Sequence, residues 1–530
     1  MEMWFKGVSL LVGRKPRMQW TSAVEERPET QRASLRRTGR GSSAGARSCN
    51  LCSQSFGLTG GDWHEPLSAA SCLPGFVRGE FMISSGAQGS ELRVTVNHGL
   101  ALFSRLHTRQ CAAAARSPRL RACGNVTRWC AHRYHPALPP IVDTPLHCPH
   151  FGPCGGCTLL DQPIAAQLAQ KKQRARELLQ PFLDGIEPET SLPPRTPRHD
   201  RTAILYPAQL YAHELQLGIY RRGTHEIEPV RDCRIQHKAL TQLGVRAGEV
   251  LRSLRVPVYN ETTHRGFVRA LRARVMPGTN ELLVGVITTR AEFSEREKLG
   301  KKLWDAASAL RDEQGKPLQL VGVVLNVNEA PGNVLLGSTT LALRGETFQW
   351  DEVAGLRLRV SFTSFYQQNR HADVILFRPA LAMLGDVKGL RVVDGYGGIG
   401  AFGLRLLKAG AAQVTIVESS PSACQDARSN LAENKCANGE VREEVFGSAA
   451  LPPCDVLVVD PPRAGLMEQG AAAVLTANAP RVLLVSCALE SLARDLAALT
   501  SSYRVTALRL CDLFPHTEHV EAVTLLERRT

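Results

Sequence analysis

From about Ser361 onward the sequence alternates between short apolar runs and helix-like stretches, and this alternation limits the fold more than any other feature. LRVVDGY predicts a strand, GGIGAFGLRLLKAGA a turn passing into a helix, QVTIVES a strand and PSACQDARSNLAENK a helix. CDVLVVDPP, RVLLVSC and EAVTLLE predict further strands, and RHADVILFRPALAML a helix ahead of them. Strands and helices in this order build a Rossmann-like, doubly wound α/β sheet, mostly parallel. Such a sheet carries its ligand over the carboxyl ends of its strands.

The stretch before it has a different texture. HPALPPIVDTPLHCPHFGPCGGCTLLD is rich in proline and cysteine and reads as a loop cluster. QPIAAQLAQKKQRARELLQPFL has apolar residues at helical spacing, with Pro181 expected to break it. Between about Arg201 and Val360 come LQLGIYRR, FVRALRARV, ELLVGVITT, LVGVVLNVN, NVLLGS and LRLRVSF, which predict an antiparallel sheet, with SEREKLGKKLWDAASALRDE as a helix among them. The organisation expected is an α+β domain over 141–360 and a doubly wound domain over 361–530.

The net charge of +14 suggests a polyanionic partner, but its distribution matters. Residues 1–140 hold 19 Lys and Arg against 8 Asp and Glu, so most of the excess sits in a leading segment rich in Arg, Ser and Gly and without sustained period. This segment is expected to be a poorly structured basic arm that grips RNA or, preferred here, a mis-called start. No apolar run reaches about 18 residues, the length a membrane-spanning helix needs. No export signal is read, so the protein is expected in the cytoplasm, where fifteen cysteines point to metal or catalytic use and not to disulfides. No obligate protein partner is evident.

Four groups of residues carry chemistry. Cys148, Cys154 and Cys157 stand close together in CPHFGPCGGC, and Cys233 is a fourth candidate in EPVRDCRIQ. Four thiolates suit an iron–sulfur cluster or a structural zinc. Asp394-Gly395-Tyr396-Gly397-Gly398-Ile399-Gly400 allows a tight turn before a helix amino end, and Glu418 ends the next strand, where a carboxylate can accept ribose hydroxyls. The turn lacks the Lys-Ser/Thr of a triphosphate loop; S-adenosylmethionine fits it better than a dinucleotide, which stays an alternative. Asp460-Pro461-Pro462-Arg463 is a stiff loop that holds a carboxylate over the site. Cys487 ends an apolar strand as a candidate nucleophile, and Glu521 opens the terminal strand as a candidate base.

From about Cys148 to its end the chain resembles the RNA uracil-5-methyltransferase family, in the iron–sulfur branch that modifies ribosomal RNA. The likeness rests on CPHFGPCGGC, LGIYRRGTHEIEPVRDC, VLNVNEAPGN, SFYQQN, DGYGGIGAFGL, VVDPPRAG, VSC…LARDL and FPHTEHVE, which occur in the family's order. The resemblance implies that Cys148, Cys154, Cys157 and Cys233 hold a [4Fe-4S] cluster. It implies that Gln367, Tyr396, Glu418 and Asp460 line the methyl-donor and uracil site, with Cys487 as nucleophile and Glu521 as base. RNA, ribosomal RNA before transfer RNA, is the partner it implies. An exocyclic-amino methyltransferase using Asp460, Pro461 and Pro462, and a catalytically inactive RNA-binding factor, are the other readings.

Overall fold

The computed structural model describes residues 81–85, 92–96, 144–195, 197–332 and 334–529 of the 530-residue chain. Strands β1 (Phe81–Ser85) and β2 (Leu92–Val96) pair as an antiparallel ribbon, Ile83 opposite Val94, and form part of a unit of their own. The rest of the segment read above as a basic arm or mis-called start lies outside the described residues.

Helix α1 (Ile164–Leu183) runs through Pro181 and stops at Asp184, which takes a left-handed φ of 44°. Pro181, expected to break the helix, lies in its last turn. Its missing N–H forfeits one hydrogen bond there, and buried Ala175, Leu179 and Leu183 hold the turn to the core. The buried stripe of α1 also carries Gln167 and Lys171. β3 (Glu189–Ser191) follows.

A six-stranded sheet comes next. Its strands are β4 (Ala203–Tyr211), β5 (Glu214–Leu217), β8 (Val268–Val275), β9 (Glu281–Thr288), β10 (Gln319–Val327) and β11 (Thr339–Gly345), in the order β11-β10-β9-β8-β4-β5. Between β5 and β8 lie a short ribbon of β6 (Ile219–Tyr220) with β7 (Ile227–Glu228) and helix α2 (Lys238–Ser253). The sheet is not antiparallel throughout, as expected from its short runs: β9 and β10 pair in parallel. Helix α3 (Arg296–Ser308) separates them and supplies the crossover that a parallel pair requires. Nor does NVLLGS form a strand. Asn326 donates to the Gly337 and Thr339 carbonyls (2.9 and 3.1 Å) and Asn328 to those of Val334 and Leu335 (2.6 and 3.1 Å), taking acceptors that a ladder would use.

The hairpin β12 (Phe348–Val353) and β13 (Leu356–Ser361) leads to a wide helical turn, Asp373–Phe377, and α4 (Arg378–Leu384). The second sheet then alternates strand and helix: β14 (Arg391–Gly395), α5 (Ala401–Lys408), β15 (Gln413–Glu418), α6 (Pro421–Glu433), β16 (Gly439–Glu443), β17 (Val456–Val459), α7 (Met467–Ala477), β18 (Arg481–Ser486), α8 (Leu489–Leu499), β19 (Tyr503–Cys511) and β20 (Glu521–Arg528), of which β16, α7 and β19 have no counterpart among the runs expected from the sequence. Its order is β16-β15-β14-β17-β18-β20-β19-β3. Strands β14 to β18 are parallel; β20 enters antiparallel between β18 and β19, and β3 pairs with the outer edge of β19. Alternate residues of each strand feed two cores on opposite faces: Val392, Val414 and Val456 on one, Val393, Leu457 and Val482 on the other. A third core fills the space between the six-stranded sheet and helices α2 and α3.

Lys171 ties α1 to the second sheet. Its Nζ donates to Asp512 Oδ1 at 2.7 Å and to the Phe514 carbonyl at 3.1 Å, and both charged groups are nearly sealed from solvent. Burial lowers the pKa of Lys171, and the Asp512 carboxylate opposes that shift. Lys171→Ala leaves Asp512 buried without its cation, so the chain is expected to lose about 3–5 kcal/mol in urea unfolding. The apolar double variant Lys171→Met/Asp512→Leu is expected to lose far less; equal losses would refute the assignment.

Candidate active site

The turn after β14 is shaped by its glycines. Tyr396 and Gly400 both have left-handed φ, 57° and 84°. A side chain at Gly395 would come within 2.4 Å of the Phe446 ring, so only glycine lets that ring close the strand end. Tyr396 packs on Phe446 at a centroid distance of 4.8 Å, and its hydroxyl reaches toward the Leu466 carbonyl, 3.5 Å away.

Three carboxylates converge at the ends of β14, β15 and β17. Glu418 is fixed by backbone N–H groups: Gly398 donates to one oxygen at 2.9 Å, and Ser419 and Ser420 to the other at 2.8 and 2.7 Å. Asp394 is fully buried, accepts from Gly403 N at 2.8 Å, and has no hydrogen-bond partner for Oδ1 among the described residues. Burial pushes its carboxyl up to about 7 against the Gly403 bond, and the Asp460 and Glu418 charges add to the rise. Asp394 was singled out in the sequence only as part of the turn; it lies buried beneath that turn. Gln367 is buried in the segment after β13. That segment is held on both sides: Thr202 N donates to Gln368 O (2.6 Å) and Asn369 Nδ2 to Leu513 O (2.8 Å).

The loop carrying Asp460 is clamped by α8. Asp460 N donates to Gly395 O at 3.3 Å. Leu466 N donates to both oxygens of Asp495 (3.0 and 3.1 Å), Ser491 Oγ to Arg463 O (2.6 Å) and Arg494 to Ala464 O (3.3 Å). Burial raises Asp495 to about 6, opposed by the Leu466 bond. The sequence offered a signal for this clamp, since Ser491 and Asp495 sit four apart on the apolar stripe of α8 with Leu492, Leu496 and Leu499.

Cys487 follows β18 directly and is buried, with 8% of its surface exposed. Ser486 pairs with Ala522 across the antiparallel β18–β20 ladder, so one step further Cys487 stands beside Glu521, the first residue of β20. Side chains opposite one another on antiparallel strands have Cβ atoms roughly 4.5–5.5 Å apart. On its other side Glu521 pairs with Cys511, the last residue of β19. The Cys511 thiol is pushed up to about 12, by burial first and by the Glu521 charge second. A carboxylate, 1% exposed, thus sits between two strand-end thiols.

The loop from β19 to β20 is held from outside. Gln167 of α1 accepts from His516 N (2.7 Å), and Thr158 and Leu159 N both donate to His516 O (3.0 Å). Glu518 N donates to Thr158 Oγ1 at 3.1 Å. Thr158 directly follows Cys157. Cys148, Cys154, Cys157 and Cys233 line one pocket together with Phe151, Leu160, Ile219 and Val230. Gly156 N and Gln236 N each donate to a thiol, those of Cys154 and Cys233, at 3.4 Å. Burial pushes the Cys154 thiol up to about 11 and raises those of Cys157 and Cys233, with mutual repulsion adding to each. Among the described residues, no group of three or more His, Cys, Asp or Glu side chains is drawn tightly enough to chelate a single metal ion.

Proteins named as uncharacterized RNA methyltransferases align with most of the chain. One from Bacillus cereus is 31% identical over 406 residues, covering 74% of this chain and 85% of that protein. Another, from Nitratidesulfovibrio vulgaris, is 32% identical over 394 residues, covering 72% and 82%. The tRNA (uracil-5-)-methyltransferase family profile matches residues 452–529, the stretch that holds Asp460, Cys487 and Glu521. The chain belongs to the RNA uracil-5-methyltransferase family. A second profile, conserved hypothetical protein 95, matches residues 376–479 of this methyltransferase. The crystal structure of Pyrococcus abyssi tRNA (uracil-54, C5)-methyltransferase in complex with S-adenosyl-L-homocysteine has a TM-score of 0.55 at 24% identity, covering 70% of this chain and 86% of that one. The two share the α/β methyltransferase fold. Among the described residues, no helix of this family member is long and apolar enough to cross a membrane.

The raised pKa of Asp394 has a consequence for stability. A carboxyl held above its unfolded value stabilises the fold fully below about pH 4 and loses that contribution as pH rises through about 7. Thermal unfolding across this range is expected to show a decline that Asp394→Asn flattens; identical pH profiles would remove the assignment.

Proposed function

We propose that the protein methylates carbon-5 of a uridine in RNA, with 23S ribosomal RNA as the preferred substrate. The observation that carries this reading is the meeting of Cys487 and Glu521 at one level of adjacent strands, beside the carboxyl ends of β14 and β17. The target uridine must leave its stack to enter, because carbon-6 cannot be reached inside a helix. The Cys487 thiolate adds to carbon-6 and makes carbon-5 nucleophilic. S-adenosylmethionine supplies the electrophilic methyl group that carbon-5 takes. Glu521 removes the carbon-5 proton; the electron pair re-forms the double bond to carbon-6 and the sulfur–carbon bond breaks. Asp460 and Gln367 orient ring and donor, and Glu418 and Tyr396 complete the donor side. The orphaned oxygen of Asp394 and the carboxylates around it suit the hydroxyls and cationic groups of such a donor.

Cys148, Cys154, Cys157 and Cys233 are proposed to hold a [4Fe-4S] cluster. Four thiols lining one largely apolar pocket, two of them met by backbone N–H groups, suit such a cluster. Bound there, the cluster would cross-link the segment that Thr158 fastens to the loop before Glu521, and no step above needs its electrons. We assign residues 141–360 to this cluster and to RNA contact, and 361–530 to methyl transfer. The transfer-RNA substrate is the second reading, favoured by the activity named for the Pyrococcus abyssi protein.

Cys487→Ala is expected to abolish transfer of labelled methyl to unmodified ribosomal RNA. An exocyclic-amino mechanism, which would not use this thiol, predicts retained activity. Glu521→Gln is expected to slow release by about 100- to 10,000-fold and to trap an RNA–protein adduct visible on a denaturing gel. Protein purified without oxygen is expected to be brown and to carry about four irons and four sulfides. Cys154→Ser should bleach the visible absorbance, and a colourless wild type that instead holds zinc would overturn the cluster.

A further inference from the structure

One strongly cationic feature takes no part in the chemistry above. An open cleft of about 1030 Å³ is walled by Arg195, Arg198, Arg234, Lys238 and Arg370, with Glu313 as its single carboxylate. Part of this charge is neutralised within the protein: Arg195 pairs with Asp200, Arg234 with Asp232 and Arg370 with Glu313. Arg198 and Lys238 are exposed and make no ion pair among the described residues. Deeper in the cleft, Arg370 Nε and His371 Nε2 are buried without a hydrogen-bond partner among the described residues, Asp200 Oδ1 lying 3.9 and 3.5 Å from them. Buried donors of this kind are costly unless something accepts from them.

The position of the cleft is equally informative. Arg370 and His371 follow Gln367 by three and four residues, and Arg234 follows Cys233 directly. Arg198 also lines a smaller cavity with Gln368, Asn369 and Phe514, beside the loop that leads to Glu521. The cleft therefore flanks the segment that carries Gln367. Its walls hold no aliphatic side chain. An extended polyanion suits such walls; an apolar ligand does not.

We propose that this cleft binds backbone phosphates of the RNA strand next to the target uridine, with Arg198 and Lys238 as its exposed phosphate contacts. The inference rests on the RNA reading above and adds the surface that grips the substrate. Phosphate contacts fix register and orientation and make binding salt-dependent, with a slope of about 0.7 to 0.9 per neutralised phosphate.

The test compares Arg198→Gln/Lys238→Gln with a control of equal charge change on α3, Arg296→Gln/Lys301→Gln. Full-length proteins are titrated with in vitro transcribed, unmodified 23S ribosomal RNA in a filter-retention assay at several salt concentrations. The cleft variant is expected to bind roughly tenfold or more weakly at low salt, with a salt slope smaller by about 1.4 to 1.8. Its melting temperature and S-adenosylmethionine affinity should match wild type. The control should bind as wild type does. If the cleft variant keeps wild-type affinity and slope, or if both variants lose equally, the proposal is overturned. The binding readout is independent of turnover. A wild type that binds through the cleft but methylates no uridine would sink the reaction and leave the cleft standing.

Discussion

The buried pair of Lys171 and Asp512 is the constraint from which the rest of the site follows. It fastens the helix that follows the cysteine segment to the residue directly after β19. Two charges sealed from water hold their place only when they meet each other, so the loop that starts at Asp512 has a defined origin. Gln167 and Thr158 then fix the middle of that loop, and Glu521 emerges at its end in one position. The same loop joins the cysteine cavity to the strand that carries the acid. A chain of hydrogen bonds therefore connects two parts of the molecule that lie hundreds of residues apart in sequence.

Register does the remaining work. In a fully parallel sheet the amino end of a strand lies far from the carboxyl end of its neighbour. β20 runs the other way, so its first residue meets the last residue of β19 and stands beside the residue that follows β18. Cys487, Glu521 and Cys511 are thereby brought to one level without any long side chain having to reach. The three carboxylates around the glycine turn arise differently, from strands that all end on the same side. Their mutual repulsion, together with burial, lifts Asp394 toward neutrality.

Much of this was legible in the residues. The strand and helix alternation after Ser361 gave the doubly wound sheet, because apolar runs buried on both faces look alike wherever they occur. Cys487, Glu521, Asp460 and Glu418 were each readable from a position at a strand end. The parallel pairing of β9 and β10 was not, since short alternating strands carry no mark of direction. Pro181 misled because a proline's cost depends on which turn it occupies. Lys171 and Asp512 went unread because partners 341 residues apart leave no local trace. A lysine and a glutamine on the otherwise apolar stripe of α1 were the available hint. The clamp of Asp495 on the loop after β17 went unread as well, though Ser491 and Asp495 on the apolar stripe of α8 offered a comparable hint.

The insertion of β20 between β18 and β19 also bears on how the chain assembles. β19 is made before β20, yet it joins the sheet only through it, and β3 joins only through β19. Until β20 is in place, β18 presents an open hydrogen-bonding edge and β19 lacks a neighbour on that side, a state prone to wrong pairing with other chains. The docking that closes those edges also delivers the acid to the thiol. An incompletely assembled chain therefore lacks the juxtaposition of Cys487 and Glu521 on which the proposed reaction depends.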